Sequence, residues 1–183
     1  MIRLMFCAVT AACMLSACGF QLQGRDNFPF KNLYVQSTGS REMSALLKRR
    51  IETGSDTTVL QSPGGADAIL MLSEGRGQGT LSLSAEGLVE EYELDLTLSY
   101  QLVAKNGTVL IPPSSIALNR SMTYDDQYAL AKQSESEILY RDMEHDAVDQ
   151  LLRRLAVVHT LEPGEEPAAP AVNRRAPLPT PPL

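Results

Sequence analysis

The feature that most constrains the fold is an unbroken alternation of polar and apolar side chains over residues 91–102. The apolar positions are Tyr92, Leu94, Leu96, Leu98, Tyr100 and Leu102, and glutamate, aspartate, threonine, serine or glutamine stands between them. A period of two is typical of a β-strand, because successive side chains point to opposite faces of a sheet. We therefore predict a sheet with one face on a core and the other in water.

A hairpin follows this strand. Lys105-Asn106-Gly107-Thr108 contains the Asn-Gly pair that two-residue turns favour. The returning strand carries Pro112-Pro113 near its start, which indicates an edge or a bend, because proline cannot donate to the ladder. Its apolar phase then continues through Ile116, Leu118, Met122 and Tyr124.

Arg120 lies in that apolar phase. A guanidinium at a core-facing position must find a partner or reach the rim of the sheet. Two roles remain open for Arg120: a structural ion pair with an acidic residue, or contact with an anionic ligand or partner protein.

The remaining patterns predict shorter strands and two helical segments. Apolar or β-prone runs at 32–35, 57–61 and 68–72 favour strands, and the glycine-rich segment 75–79 favours a flexible or bulged connection. Ser40 is the predicted N-cap of a first helix whose core positions are Met43, Leu46, Leu47 and Ile51, and which stops at Gly54. The sequence thus indicates an α+β domain.

The second helical pattern runs from residue 126 to residue 158, with Asp125-Asp126 as its expected cap. Leu139, Met143, Ala147, Leu151 and Leu155 form its apolar stripe. Ser134 and Glu137 have the spacing of a capping box, which leaves open whether this region is one helix or two.

Residues 1–17 are predicted to be a lipoprotein signal peptide. Arg3 is followed by an apolar run to Ala17, which is shorter than the roughly 20 residues of a membrane-spanning helix. Leu15-Ser16-Ala17-Cys18 fits a lipobox, in which cleavage falls between Ala17 and Cys18 and the cysteine carries S-diacylglycerol and an N-acyl chain. The alternative is an ordinary signal peptide with an incidental cysteine. Gly19 in place of aspartate favours the outer membrane.

The predicted cleavage also decides what the cysteines can do. Cys7 and Cys13 leave with the signal and Cys18 becomes a thioether, so we expect neither a disulfide nor a cysteine metal site. Loss of Arg3 changes the formal charge from −6 to −7. An acidic chain of this kind is a poor general binder of nucleic acid or of phosphate-rich glycolipid.

The sequence contains no recognisable catalytic constellation. His145 and His159 are predicted surface residues, and no nucleophile elbow, phosphate-binding loop or paired-histidine metal motif occurs. Glu90 and Glu91 are adjacent on a strand, so their carboxylates point to opposite faces and cannot act together. We expect no catalytic residue, metal or cofactor, and a protein that is not an enzyme.

Four segments follow from these patterns: the signal at 1–17, a lipidated lead at 18–30, the α+β domain at 31–160 and a disordered tail at 161–183. The tail is rich in proline and alanine and holds too few large apolar residues to form a core.

Three groups of residues together resemble the LptE family, the lipoproteins of the outer-membrane lipopolysaccharide translocon. They are the predicted mature start Cys18-Gly19-Phe20-x-Leu22-x-Gly24; Glu91-Tyr92 with the alternating strand, Val109-Leu110-Ile111-Pro112 and Arg120-Ser121; and Ala129-Leu130-Ala131-Lys132, Glu135, Met143 and Gln150–Leu155. Their order and spacing cover residues 18–155.

The resemblance implies two helices packed on one face of a mixed, mostly antiparallel sheet of about four strands. It also implies a lipid-anchored protein on the periplasmic side of the outer membrane, which assembles with an LptD-type β-barrel, plugs its lumen and assists lipopolysaccharide transport. The alternative is an auxiliary lipoprotein of another envelope transporter or assembly complex.

This chain departs from the family at two basic positions linked to lipopolysaccharide contact. One region reads Ala85-Glu86-Gly87 here, and the other position is Ala117. Direct lipopolysaccharide contact is therefore not carried over, and Arg120 is the candidate contact that remains.

Overall fold

The computed structural model describes residues 27–161, which form five strands and two α-helices. In chain order they are β1 (Asn32–Thr38), α1 (Arg41–Gly54), β2 (Thr58–Leu60), β3 (Ala68–Leu83), β4 (Val89–Ala104), β5 (Val109–Thr123) and α2 (Ala129–Leu155). Short 3₁₀ turns at Pro63–Gly65 and Asp126–Tyr128 precede β3 and α2. The predicted α+β class is confirmed, with five strands where about four were expected.

The strands form one mixed sheet in the order β2-β1-β3-β4-β5. β1 pairs in parallel with β2 and with β3, while the two long pairings, β3–β4 and β4–β5, are antiparallel. The helix α1 supplies the crossover that a parallel β1–β2 pair requires. The edges of the sheet are therefore the very short β2 and the long β5.

The core lies between one face of the sheet and both helices. The alternation in β4 works as predicted, since Leu94, Leu96, Leu98, Tyr100 and Leu102 are all buried. The other buried positions include Leu33 and Val35 of β1, Leu70 and Leu72 of β3, Met43, Leu47 and Ile51 of α1, and Met143, Ala147, Val148, Leu151 and Leu155 of α2. Each fully buried leucine of this kind contributes about 1.5–3 kcal/mol.

The first helix begins and ends as predicted. The Ser40 hydroxyl accepts a hydrogen bond from the Met43 amide at 3.1 Å, and such a cap contributes about 1 kcal/mol. At the other end the Ser55 amide donates to the Ile51 carbonyl after Gly54.

The second helix is a single continuous element. Asp125 caps the preceding 3₁₀ turn by accepting from the Gln127 amide at 2.9 Å, which matches the expected capping role. The Ser134 hydroxyl donates to the Leu130 carbonyl inside the helix, so it does not start a new one. The proposed capping box at Ser134 and Glu137 is wrong, because a hydroxyl in mid-helix bonds back to the preceding turn.

The β4–β5 hairpin is also confirmed. Gly107 has a φ of +87°, and its amide donates to the Ala104 carbonyl. β5 is an edge strand, and its pairing with β4 is interrupted by a register shift between Tyr100 and Leu102, beside Pro112-Pro113.

The segment 75–79 is a strand rather than a connection. Gly75, Gly77 and Gly79 belong to β3 and pair with Thr97, Asp95 and Glu93 of β4. A glycine in the interior of a strand lowers the stability of the strand. Here β4 is a continuous partner, and its ladder holds the glycine segment in an extended conformation.

Candidate functional site: the uncovered face of the sheet

Both helices pack on one face of the sheet. The opposite face carries an apolar row at one end, formed by Tyr34, Ile69, Val103 and Val109, and mainly polar side chains along the rest of β4. We call this opposite face the uncovered face. β4 contributes its odd-numbered residues to it, and Asp95, Thr97 and Ser99 are exposed. Because strand side chains alternate, every polar residue of the β4 pattern falls on this side.

A row of hydroxyl side chains crosses the uncovered face. Thr38 of β1 is in register with Ser73 of β3, Ser73 with Ser99 of β4, and Ser99 with Ser115 of β5. A groove of about 510 Å³ lies over this row, and all the residues that line it are uncharged. This half of the face can donate and accept hydrogen bonds without carrying charge.

The other half of the uncovered face is acidic. Asp95, Glu93 and Glu91 follow one another along β4, opposite Gly77, Gly79 and Ser82 of β3. The Asn119 amide of β5 donates to the Glu93 carboxylate at 2.9 Å. Negative charge here disfavours phosphate groups and favours neutral or basic partner surfaces.

Arg120 lies on the other side of the sheet, opposite the buried Leu94. It reaches the rim, where its Nη2 is 2.8 Å from the Asp146 carboxylate of α2. Its Nη1 also donates to the Asn119 carbonyl at 2.9 Å. These contacts are those of a structural ion pair, and the role of Arg120 in ligand or partner contact stays a prediction.

The structure also brings together a charged cluster that the sequence patterns did not indicate. Arg76 of β3 binds the Glu74 carboxylate at 2.8 Å and the Glu144 carboxylate of α2, and its guanidinium lies 5.0 Å from the centre of the Tyr140 ring. The Tyr140 hydroxyl donates to the Gly77 carbonyl at 2.6 Å. The cluster joins the middle of β3 to the middle of α2.

The same cluster reaches the start of α1. The second oxygen of Glu74 accepts a hydrogen bond from the Ser40 amide at 3.1 Å. Glu144 is only 2% exposed, and this burial raises the pKa of its carboxyl, against the opposing effect of the Arg76 charge. Glu74, Arg76 and Gln78 continue the inward phase of Leu70 and Leu72, and that phase is the one signal that could have revealed the cluster.

The remaining predicted site residues lie elsewhere. Ala17 and Cys18 fall outside the described residues. His145 and His159 are exposed. Within residues 27–161 no group of three or more histidine, cysteine, aspartate or glutamate side chains is placed to hold a metal ion. No helix in this range combines the length and the apolar character needed to cross a membrane.

The fold defines a small α+β domain with a one-sided core and an uncovered face of the sheet. The LptE lipopolysaccharide-assembly family matches residues 30–155 of the chain. The chain therefore belongs to this family, as the resemblance in its sequence predicted.

Individual relatives agree with this assignment. The LPS-assembly lipoprotein LptE of Yersinia enterocolitica is 27% identical over 157 residues, which is 83% of this chain and 74% of that protein. Its counterpart in Photorhabdus laumondii is 28% identical over 156 residues, covering 83% and 84% of the two chains.

Solved structures show the same fold. An uncharacterized lipoprotein B from Nitrosomonas europaea has a TM-score of 0.64 and 31% identity, and covers 75% of this chain and 90% of its own. The rare lipoprotein B from Shewanella oneidensis has a TM-score of 0.58 and 26% identity, covering 68% and 93%.

Proposed function

We propose that this protein is an outer-membrane lipoprotein that assembles with an LptD-type β-barrel, plugs its lumen and assists lipopolysaccharide transport to the outer leaflet. The protein is not an enzyme. Cleavage after Ala17 leaves the lipidated Cys18 as the first residue, and this anchor holds the domain on the periplasmic side. Membership of the lipopolysaccharide-assembly family supports this role.

The observation that carries the proposal is the uncovered face. Its groove is lined by uncharged side chains, which are hydroxyl and amide groups together with apolar residues such as Met71 and Pro113. The lumen of a large outer-membrane barrel is polar and wet, and a surface of uncharged hydrogen-bonding groups fits such a wall. The opposite face already holds the whole core against the helices.

In this proposal the barrel is the main partner, and direct lipopolysaccharide contact is secondary. The acidic half of the uncovered face repels phosphate, and Arg120 is engaged with Asp146. The lead at 18–30 connects the anchor to the domain at 31–160, and its end already enters the core through the buried Phe28 and Phe30. Leu161, at the start of the predicted tail, packs against the same core.

Affinity purification of the full-length lipoprotein from detergent-solubilised membranes tests the proposal. We expect an LptD-type barrel in equal amount, and loss of lipopolysaccharide from the cell surface when the lipoprotein is depleted. Recovery with an inner-membrane transporter, together with normal surface lipopolysaccharide, would instead support the auxiliary role in another envelope complex.

One matched pair of variants tests the face itself. Ser99→Trp places a large side chain in the groove at an exposed position, so it should lower the recovery of the barrel several-fold while the domain stays folded. Ser134→Trp adds the same side chain at an exposed position of α2 and should lower it less. Equal recovery with both variants would exclude the uncovered face as the principal contact.

A further inference from the structure

The long edge strand β5 has a set of backbone groups that point away from the sheet. The Tyr124 amide donates to the Glu90 carbonyl, which fixes the phase of the antiparallel β4–β5 ladder. From residue 114 to residue 124 the even-numbered residues therefore bond to β4. The odd-numbered residues between 115 and 123 direct their amides and carbonyls outward.

Two arginine side chains donate hydrogen bonds to backbone carbonyls that point outward from β5. Arg120 donates from Nη1 to the Asn119 carbonyl at 2.9 Å. Arg154 of α2 donates from Nη1 to the Ser115 carbonyl at 3.3 Å, and the same nitrogen contacts the Tyr100 hydroxyl. The two occupied carbonyls lie four residues apart, and a strand added at this edge would need both of them as acceptors.

Each arginine is held in place by a second contact. Asp146 fixes Arg120 through the 2.8 Å ion pair, and the Arg154 guanidinium lies 5.5 Å from the centre of the Tyr100 ring. The helix α2 thus contributes Asp146 and Arg154 to the same edge. Pro112-Pro113 and the neighbouring register shift disrupt the start of the strand, so the arginines act where β5 is otherwise regular.

We propose that Arg120 and Arg154 close the β5 edge against strand addition by a second copy of this chain. An exposed edge of 15 residues is a template for pairing, and charges placed on an edge are a common protection. A second copy is the occupant that this edge fits, because two antiparallel β5 strands related by a two-fold axis are self-complementary. The other edge, β2, has only three residues and needs no such protection.

The test uses the full-length lipoprotein with a reporter cysteine. Residues 27–161 contain no cysteine, so Ala117→Cys, Ser121→Cys or Thr123→Cys each adds a single thiol beside the edge. With Arg120→Ala and Arg154→Ala together, we expect a several-fold increase in disulfide-linked dimer on mild oxidation. The parent chain with the same reporter should stay monomeric.

Two controls separate edge protection from general destabilisation. Arg50→Ala removes an arginine that is 46% exposed in its side chain and pairs with Asp149 at 3.6 Å, away from β5, and should leave the dimer fraction unchanged. Arg120→Met with Arg154→Met keeps the aliphatic stems but no donor, so it should dimerise like the alanine pair even where alanine lowers stability.

Two results would overturn the proposal. The first is a folded Arg120→Met, Arg154→Met chain that shows no more dimer than the parent with any of the three reporters. The second is an equal increase with Arg50→Ala, since that would make dimerisation a consequence of losing any surface arginine.

Discussion

Arg76 supplies the positive charge that offsets the buried carboxylate of Glu144. Its guanidinium is the nearest cation to Glu144, whose side chain is 3% exposed, and it also binds Glu74. Removing one member of a buried ion pair leaves an uncompensated charge and costs about 3–5 kcal/mol. An exposed pair contributes about 1 kcal/mol or less.

Because Glu144 is buried while the Arg76 side chain is 34% exposed, we expect Arg76→Ala to lower the free energy of unfolding by about 2 kcal/mol, between these two values, as measured by urea denaturation. Arg50→Ala is the matched control, because Arg50 and Asp149 are both substantially exposed, and it should cost about 1 kcal/mol at most. Equal losses in the two variants would show that Glu144 does not depend on Arg76.

Glu144 should also make stability depend on pH. Burial raises the pKa of its carboxyl, so the folded protein holds this proton more tightly than the unfolded chain does. The contribution of this group is then greatest below the ordinary carboxyl pKa of about 4.3, and falls as the pH rises through the raised value.

Glu144→Gln removes the titrating group and keeps its size. We expect the difference in unfolding free energy, variant minus parent, to become more positive as the pH rises through that window. Urea titrations at several pH values measure it, with Glu135→Gln as the control, because Glu135 is exposed on the same helix and pairs with Lys132 away from the Arg76 cluster. A constant difference across the window would contradict a raised pKa at Glu144.

At the scale of elements, the junction between β1 and α1 is tight. Gly39 has a φ of +134°, and an added Cβ would come within 2.8 Å of the Glu74 Cβ. Glycine adopts this conformation freely, whereas a residue with a side chain is strained there. The close approach allows Glu74 to accept from the Ser40 amide at the start of the helix.

Gly39→Ala should accordingly destabilise the protein by about 1–3 kcal/mol and reduce the helical signal of α1. Gly54→Ala is the control, because Gly54 has no positive φ and nothing lies within 4 Å of its added Cβ. Thermal unfolding followed by circular dichroism measures both. If the two variants melted at the same temperature, the junction would not be strained.

The elements differ in how far they could be predicted. The predictions of β4 and α1 were correct because apolar residues repeat every second position in β4 and at helical spacing in α1. Both elements bury one face against the core. β3 was predicted too short, because Gly75, Gly77 and Gly79 have low strand propensity and only their pairing with β4 makes them extended.

The candidate site was predictable only in part, because local periodicity indicates a face of the sheet but not the strands that share it. The alternation in β4 predicts a polar face, but the row from Thr38 to Ser115 depends on the strand order β1-β3-β4-β5, which is a tertiary property. For the charged cluster, the inward phase of Glu74 and Arg76 in β3 is a local signal, but the partners that α2 contributes to it depend on the tertiary packing. For Arg120, the sequence predicted the need for a partner, and the structure supplies Asp146 as that partner.

At the scale of the whole molecule, the start of β1 and the β3–β4 hairpin lie at opposite ends of the sheet. β1 begins at Asn32 beside the start of β3, whereas the hairpin follows Leu83, 15 residues further along that strand. At about 3.3 Å per residue, the two ends of β3 are separated by about 50 Å. The lipid anchor proposed at Cys18 would therefore tether the end of the domain that is remote from the hairpin.

Direct attachment to the lipid bilayer should depend on Cys18, since acyl chains contribute about 0.8 kcal/mol per buried CH₂. We expect Cys18→Ala to leave the domain folded and to move it from the membrane pellet to the soluble fraction after cell fractionation. Cys13→Ala is the matched control, because Cys13 lies within the predicted signal peptide, and this variant should stay in the pellet. The proteins are expressed in excess of the barrel, so that binding to the barrel retains only a minor part of them. A Cys18→Ala protein that then sediments with membranes to the same extent as the parent would contradict lipidation at Cys18. Release of the Cys13→Ala protein from the pellet would show that attachment depends on Cys13, and would contradict a lipid anchor at Cys18.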